Sequence, residues 1–416
     1  MNLEMYKLLK INSSILRFMG RTAGKFSSPK FPQPPALERG QSCPLGSTPR
    51  PNSGQNCPCS NRLTPAERRK VASLVPRLLA WFAAHARDLP WRRTRDPYAI
   101  WVSEIMLQQT QVKTVIPYWQ RWLRELPDVA AQARADEARL HKLWEGLGYY
   151  TRVRNLQRAA RQIVAEHGGN FPERFEAVLA LPGIGRYTAG AICSLAFNQP
   201  TPIVDGNVVR VLTRLFGIGA DVGAKATQAR LWELAEALVR RAAERPMAEH
   251  ACSHLNQSLM ELGAVLCTPR SPACSRCPAK SLCVADQTGQ PEAFPVKRAR
   301  PAVTARRFVA FVAERAGKFL VRQRPAGGVN AGLWEFPNFE LAAGRDCAVA
   351  GEILCTVKHS ITRYRITLTA VRVPWQQFPA ELDPASGRWC GPAELEELAF
   401  TSAHRRIVGR LGIGDC

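Results

Sequence analysis

The spacing of apolar residues predicts a long helical region. From residue 64 to about residue 283, apolar positions recur every three or four residues in segments such as WVSEIMLQQTQVKTVIPYWQRWL, NVVRVLTRLF and SHLNQSLMELGAVL, with short Pro or Gly breaks between them. Thr64 precedes a proline and an acidic residue, which is typical of a capped helix N-terminus. We therefore predict an all-α domain over residues 61–285 whose first helix begins at Thr64.

The pattern changes near the C-terminus. RRFVAFVAER, KFLVRQRP and YRITLTAVRVPW alternate apolar and polar residues or are rich in β-branched residues, whereas GPAELEELAF has helical spacing. These segments predict an α+β domain over residues 306–416. Residues 286–305 contain three prolines, three basic residues and few apolar ones, which favours a linker.

The first 60 residues have a different composition. They are rich in Ser, Pro, Gly and Asn and carry eight basic residues against only Glu4 and Glu38, so we predict a disordered basic extension over residues 1–60. Its beginning is typical of an organelle transit peptide, but an unused upstream translation start or an inert tail would have the same composition. We expect a bacterial cytoplasmic protein beside the nucleoid, or an organellar or nuclear one if the extension is a targeting segment.

Charge narrows the choice of partners. The 416 residues contain 57 Lys and Arg against 34 Asp and Glu, a net charge of +23, which favours nucleic acid or an anionic membrane surface. Residues 61–285 contribute +12 of it, 31 basic minus 19 acidic residues. No apolar run is long enough to span a bilayer, and 13 cysteines without an even framework argue against a secreted disulfide scaffold.

Four cysteines lie close together after the last predicted helix of the all-α region. Cys267, Cys274, Cys277 and Cys283 form C-x6-C-x2-C-x5-C. Four thiolates on one short loop suit a metal centre, and chance clustering is the alternative. Structural zinc sites usually have two close cysteine pairs, and only Cys274 and Cys277 are so spaced, whereas iron–sulfur clusters accept looser spacing.

Two carboxylates are candidate catalytic groups. Glu104 lies in an apolar helical segment, where burial would raise its pKa and let it act as a general acid; the alternative is an exposed helical glutamate. Asp205 precedes a predicted helix, so it is expected as an N-cap. If Asp205 faces the same cleft as Glu104, it would stabilise a developing cation, as in glycoside cleavage.

The segment LPGIGRYTAG, residues 181–190, predicts a tight turn between two helices. Gly183 and Gly185 permit positive φ and close approach, so the N–H groups at the start of the next helix can bind a phosphate. A turn without a ligand is the alternative. In a basic protein we expect phosphate binding.

Together the LPGIG hairpin, Asp205 about twenty residues beyond it and the four-cysteine loop resemble the helix-hairpin-helix DNA glycosylases. Within them, WVSEIMLQQTQV, GLGYYTRVRNL, PIVDGNVVRVL and NQSLMELGAVLC are similar to the adenine DNA glycosylase (MutY) family, which removes adenine mispaired with 8-oxoguanine. The resemblance covers residues 64–416. The protein is thus expected to be a multi-domain enzyme with an all-α glycosylase domain and an α+β Nudix-like domain.

The resemblance implies roles for the candidate residues. The four cysteines would hold a [4Fe-4S] cluster, and Glu104 would protonate adenine at N7 and later activate water. Asp205 would stabilise an oxocarbenium-like sugar, helped by Asn207 and Tyr187. The endonuclease III branch places a Schiff-base lysine where Tyr187 follows Arg186, so strand cleavage through an imine is not expected.

The resemblance also implies how the substrate is bound. The partner would be double-stranded DNA with an adenine opposite 8-oxoguanine or guanine, bound by a monomer without a membrane, and the adenine would be flipped out. Gln109 and Tyr149 match family residues that wedge beside the orphan base. Residues matching those of the adenine pocket are Trp91, Arg92, Leu107 and Gln257.

The C-terminal segment GLWEFPNFE resembles the Nudix-like domain of the family, which recognises 8-oxoguanine. The chain lacks the Nudix catalytic box, so pyrophosphatase activity is not expected. Where many members have Phe-Ser-His, this chain has Ile361-Thr362-Arg363; Thr362 retains a hydroxyl for the damaged base, whereas the aromatic ring and the imidazole are missing. Two other functions stay open: a bifunctional pyrimidine-damage glycosylase-lyase, and a non-catalytic iron–sulfur DNA-binding protein.

Overall fold

The computed structural model describes residues 63–245, 249–298, 302–342, 351–361, 363–379, 382 and 384–411. The predicted extension at residues 1–60 and Thr362 lie outside the described residues. No helix in the described ranges is long and apolar enough to cross a bilayer.

The described residues of the predicted all-α region, 63–245 and 249–285, form helices joined by short connections, as the spacing of apolar residues predicts. The helices are α1 Pro65–His85, α2 Pro97–Leu107, α3 Val112–Glu125, α4 Val129–Arg134, α5 Glu137–Trp144, α6 Thr151–His167, α7 Phe175–Leu179, α8 Arg186–Phe197, α9 Gly206–Phe216, α10 Lys225–Ala243, α11 Ala251–Val265 and α12 Val284–Gln287. Thr64 caps α1 through a capping box with Glu67, which confirms the predicted start.

Two separate hydrophobic cores divide this helical region. One is built from α2 to α8 and contains the buried Trp101, Trp122 and Trp144. The other joins α1, α9, α10 and α11 and is closed by partly buried cysteines of the loop after α11. The two lobes therefore provide two walls, and residues at their boundary can meet across a cleft.

A seven-stranded mixed sheet follows. Its strands are β1 Thr304–Arg315, β2 Lys318–Gln323, β3 Trp334–Glu335, β4 Asn338–Leu341, β5 Glu352–Ile361, β6 Tyr364–Pro374 and β7 Arg388–Cys390, with helices α13 Pro392–Glu397 and α14 Ser402–Val408. The central order is β3-β2-β1-β6-β5, while β4 pairs with β1 and β7 with β2. β1 and β6 run parallel over eleven residue pairs from Thr304 and Tyr364 to Glu314 and Pro374.

The segment between the last long helix and β1 packs against the helical region. The Phe294 carbonyl accepts a hydrogen bond of 3.2 Å from Arg214 Nε. The Val296 carbonyl accepts one of 3.0 Å from the Val222 N–H. This part of the chain therefore lies along α9 before the sheet begins.

The C-terminal domain docks on the end of α5. Glu145 Oε1 accepts hydrogen bonds of 2.9 Å from the Phe400 N–H and 2.8 Å from Arg405 Nε. Leu333 and Ala399, from the C-terminal domain, are buried within the core of the first helical lobe. The sheet domain and that lobe thus share apolar packing and a partly buried ion pair.

Candidate active site

Glu104 lies on α2, a helix that is buried on every side. All side chains from Tyr98 to Met106 are buried, and Glu104 itself is 5% exposed. A helix surrounded by apolar packing has no polar face that could carry a carboxylate to water. The expected burial of Glu104 is confirmed, and the alternative of an exposed glutamate is wrong.

The surroundings of Glu104 bring its titration close to neutral pH. Burial raises the pKa of Glu104 to about 7, because the charged form loses its hydration. The hydroxyl of Tyr187, in the first turn of α8, donates a hydrogen bond of 2.7 Å to Glu104 Oε2 and lowers that pKa, whereas the negative charge of Asp205 raises it. A group that titrates near the working pH suits general acid and base catalysis.

Asp205 comes from the other lobe, at the N-terminus of α9. Its Oδ1 accepts a hydrogen bond of 2.7 Å from the Val208 N–H, so it is the N-cap that its position predicts. Its Oδ2 accepts one of 2.9 Å from Asn207 Nδ2. Burial raises the pKa of Asp205, and these hydrogen bonds oppose the rise by stabilising the carboxylate. The structure thus brings together Glu104, Tyr187, Asp205 and Asn207.

Arg210 links Asn207 to the cysteine loop. Its Nη2 donates to Asn207 Oδ1 at 2.9 Å and to the Gly263 carbonyl at 2.7 Å. Its Nε donates to the Cys267 carbonyl at 2.6 Å. A Cβ on Gly263 would lie 2.6 Å from Asn207 Cβ, so only glycine fits there. The sequence analysis missed Arg210, although the segment NVVRVLTRLF places it one helical turn after Asn207.

The four cysteines line one cavity. Cys267, Cys274, Cys277 and Cys283 surround it together with Arg214, Leu262 and Leu266. Arg214 Nη1 donates to Cys267 Sγ at 3.3 Å. No three His, Cys, Asp or Glu side chains of the described residues are grouped as for a single metal ion. Four thiols around a mostly apolar cavity, with a guanidinium beside one of them, fit a bound cluster.

Three predicted pocket residues line a second cavity. Trp91, Arg92 and Gln257 border a space of about 300 Å³ that also contacts Ser103, the neighbour of Glu104. Such a volume is at the lower end of ordinary small-molecule sites. Leu107 is not among its lining residues; it packs against the core of the first lobe.

Glu261 is a buried carboxylate beside this cavity that the sequence analysis missed. It accepts hydrogen bonds from Arg87 Nε at 2.7 Å and from Arg92 Nη2 at 2.8 Å, and its side chain is fully buried. Burial raises its pKa, but the bonds to Arg87 and Arg92 outweigh burial and lower it to about 2. The feature of the sequence that could have identified Glu261 is its charge within the predicted helical segment NQSLMELGAVL.

The glycine hairpin is formed as predicted at one position and differently at the other. Gly183 has φ +76°, and a Cβ there would lie 2.5 Å from the Asn155 side chain. Gly185 has φ −98° and caps α8 in extended conformation, so it does not use the positive φ that a glycine permits. Open space surrounds Gly185, and no side chain caps the N-terminus of α8, which leaves its first N–H groups for a ligand.

Gln109 and Tyr149 lie on two exposed turns. Gln109 has φ +58° and Tyr149 has φ +50°, a left-handed conformation that residues other than glycine rarely adopt. The Tyr149 side chain is 50% exposed. Unusual backbone at exposed positions is a feature of functional loops.

Two lobes around a buried acid, with a glycine hairpin and a cysteine loop, define a class of protein. The description "HhH-GPD superfamily base excision DNA repair protein" matches residues 102–237, and "NUDIX domain" matches residues 308–410. The fold is therefore a helix-hairpin-helix glycosylase domain followed by a Nudix domain, as expected.

The chain is similar to adenine DNA glycosylases of two mammals. The chain is 36% identical to an adenine DNA glycosylase of Mus musculus over 81% of this chain and 77% of that protein. It is likewise 36% identical to an adenine DNA glycosylase of Homo sapiens over 81% of this chain and 74% of that protein. The solved structure of a thermostable thymine-DNA glycosylase is 32% identical in sequence, and its alignment covers 54% of this chain and 99% of that one with a TM-score of 0.48. The chain belongs to the adenine DNA glycosylase family and is a DNA glycosylase.

Proposed function

We propose that this protein hydrolyses the N-glycosidic bond of adenine mispaired with 8-oxoguanine or guanine in double-stranded DNA, without cutting the strand. The observation that carries the proposal is the meeting of Glu104, hydrogen-bonded to Tyr187 at 2.7 Å, with the charge of Asp205 from the opposite lobe. The pKa of Glu104 is about 7, which suits the acid. Hydrogen bonds from Asn207 and the Val208 N–H oppose the rise that burial causes in the pKa of Asp205, which is the proposed anion.

In the first step the Glu104 carboxyl group donates its proton to N7 of the flipped adenine. The C1′–N9 bond then breaks, and its electron pair leaves with the neutral base. The ionised Asp205 raises the pKa of Glu104, so the acid is in its protonated form for a larger part of the pH range.

Loss of the base leaves positive charge on the sugar, and Asp205 stabilises it. Asn207 holds Asp205 Oδ2 at 2.9 Å, and the Val208 N–H holds Oδ1, so the carboxylate needs little reorganisation when the charge develops. Water then adds to C1′ and gives its proton to Glu104, which restores the acid.

Tyr187 supports a monofunctional reaction. Burial raises the pKa of Tyr187 well above its usual value, so the phenol stays protonated and acts as a hydrogen-bond donor. A phenol at this position cannot form the imine that a lysine would form with C1′.

Cys267, Cys274, Cys277 and Cys283 would hold the [4Fe-4S] cluster. The cluster would supply a rigid link within the loop after α11. Because Arg210 binds both the Cys267 carbonyl and Asn207, an ordered loop also fixes one partner of Asp205. The exposed Arg270 and Arg276 of this loop and the free N–H groups at Gly185 would bind phosphates of the DNA.

We further infer that the Nudix domain recognises the orphan base through the turn between β5 and β6. Next to Thr362, Arg363 lies 5.2 Å from the ring of Tyr364, and Arg306 lies 5.1 Å from the same ring. These side chains would supply stacking and positive charge next to the segment Ile361-Thr362-Arg363, where many family members have Phe-Ser-His.

The test is a single-turnover reaction with a duplex that contains one adenine opposite 8-oxoguanine. We expect free adenine, an intact strand until alkali is added, and no adduct on borohydride treatment. Glu104→Gln should abolish adenine release, while the exposed Glu166→Gln should retain it. Adenine release by Glu104→Gln at the unaltered rate, or an adduct trapped by borohydride, would refute the proposal.

A further inference from the structure

Arg152, in the first turn of α6, is a buried arginine whose guanidinium group donates to backbone carbonyls. The residue is 9% exposed, and its two Nη atoms donate five hydrogen bonds. Burial lowers its pKa to about 10, so it remains charged at neutral pH. A cation buried at this cost requires compensation from the groups around it.

One half of the guanidinium holds the turn that carries Gln109. Nη1 donates to the carbonyls of Ile105 at 2.7 Å, Met106 at 3.1 Å and Gln108 at 2.8 Å. These are among the last carbonyls at the C-terminus of α2, which have no partner within the helix and carry its negative partial charge. The Gln108 carbonyl belongs to the peptide group that precedes Gln109, and Gln109 has a φ of +58°.

The other half holds the turn that carries Tyr149. Nη2 donates to the carbonyls of Leu147 at 2.8 Å and Gly148 at 3.0 Å. The Gly148 carbonyl belongs to the peptide group that precedes Tyr149, and Tyr149 has a φ of +50°. The backbone N–H of Arg152 also donates to the Tyr149 carbonyl at 2.9 Å. The guanidinium also lies 5.8 Å from the ring of Tyr149 and 5.1 Å from that of Trp144.

We propose that Arg152 is a positioning residue that joins the Gln109 turn and the Tyr149 turn into one rigid element for opening the DNA base stack. The two turns are about forty residues apart in sequence, and the same planar group binds the peptide before each left-handed residue. This inference rests on the proposed function, because it gives Gln109 and Tyr149 the task of filling the space beside the orphan base.

This arrangement requires a planar group with two separate donor nitrogens, since Nη1 holds one turn and Nη2 the other. Lysine would keep the charge but has a single nitrogen, which cannot bind two turns at once in the same geometry. Methionine would fill a similar volume without any donor. Arg158, six residues further along α6, is exposed and donates a hydrogen bond of 2.9 Å to Asn155 Oδ1, so Arg158→Met is the matched control.

The experiment measures base unstacking apart from chemistry. A duplex carries a non-cleavable 2′-fluoro-adenosine opposite 8-oxoguanine, with 2-aminopurine as its neighbour, and fluorescence is recorded at saturating full-length protein. The parent chain and Arg158→Met should both give the full rise in fluorescence. Arg152→Lys and Arg152→Met should bind the duplex but give less than about half of that rise. Their single-turnover adenine release should fall by about tenfold or more.

Thermal melting and far-ultraviolet circular dichroism establish whether each variant is folded. If Arg152→Met does not fold, Arg152→Lys decides the question. Full unstacking by a folded Arg152 variant overturns the inference, whatever its stability. The proposed function fails separately, because then the parent chain itself releases no adenine from the cleavable duplex.

Discussion

The Tyr187 hydroxyl donates a hydrogen bond of 2.7 Å to Glu104 Oε2 and thereby stabilises the charged carboxylate. Removing this donor with Tyr187→Phe should raise the pKa of Glu104 above its present value of about 7. Because the protonated carboxyl group is the proposed acid, activity is lost as pH rises through this pKa. The descending limb of the single-turnover rate against pH should therefore move to higher pH, and a limb that stays in place or moves down contradicts the prediction.

Glu104 should also lower the stability of the fold at alkaline pH. Its pKa of about 7 in the folded chain lies above the reference value of 4.5, so its stabilising contribution is present below pH 4.5 and is lost as pH rises through about 7. The difference corresponds to about 3 kcal/mol in total. Glu104→Gln should therefore raise the melting temperature at pH 8, with a smaller gain at pH 5, and Glu166→Gln should show no such dependence. Equal gains at both pH values would rule this explanation out.

The carboxylate of Glu261 should influence the acid through Arg92. Glu261→Gln leaves the positive charge of Arg92 less compensated, and this charge lowers the pKa of Glu104. The descending limb should move to lower pH, opposite to the effect of Tyr187→Phe. Loss of a buried ionic partner should also destabilise the fold by about 3 kcal/mol. Glu236→Gln, which affects an exposed pair with Arg240, is the control for both measurements; a limb shifted upward would disprove the electrostatic link.

Arg210 should couple the cysteine loop to the proposed catalytic anion. Arg210→Met removes the bonds to Asn207 Oδ1 and to the Cys267 carbonyl. We expect adenine release to slow by about tenfold or more, since Asn207 loses a partner that fixes its amide. Single-turnover kinetics measure the rate of adenine release, and the visible absorbance of the purified protein measures its content of the proposed cluster. The same change at Arg240, which is exposed, should leave the rate within about twofold.

Glu145 should hold the sheet domain against the first helical lobe. Glu145→Gln weakens the bonds to Arg405 Nε and the Phe400 N–H. Hydrogen exchange in α14 should become faster, and preference for adenine opposite 8-oxoguanine over adenine opposite guanine should fall. Glu125→Gln, at the end of α3 and paired with Arg139, is the matched change. Unaltered exchange in α14 would show that the apolar contacts suffice for docking.

Local patterns predicted the parts of this protein that depend on neighbours in sequence. The capping box at Thr64, the buried helix around Glu104 and the left-handed Gly183 all follow from residues within a few positions. Short strands such as β3 and β7 were not predicted, because they exist through pairing with β2 and have too few residues for a periodicity.

The unpredicted features of the site depend on distant partners. Glu261 is bound by Arg92, which lies 169 positions earlier in the chain. Arg152 binds the Ile105 carbonyl across 47 positions, and a carbonyl acceptor has no identity in the sequence. Gly185 illustrates a related limit: the sequence shows that a glycine permits positive φ, but not that this residue is extended and that a Cβ there would contact no other atom.

The burial of Leu333 and Ala399 in the core of the first helical lobe limits how this enzyme can be shortened. A chain that ended before β1 would lose these two side chains and expose the apolar surface that they cover. It would also leave Glu145 and Lys142 without their partners at Arg405 and Glu396. The helical domain alone would therefore expose an apolar patch that favours aggregation, and attempts to isolate it should yield more soluble protein when that patch is first made polar.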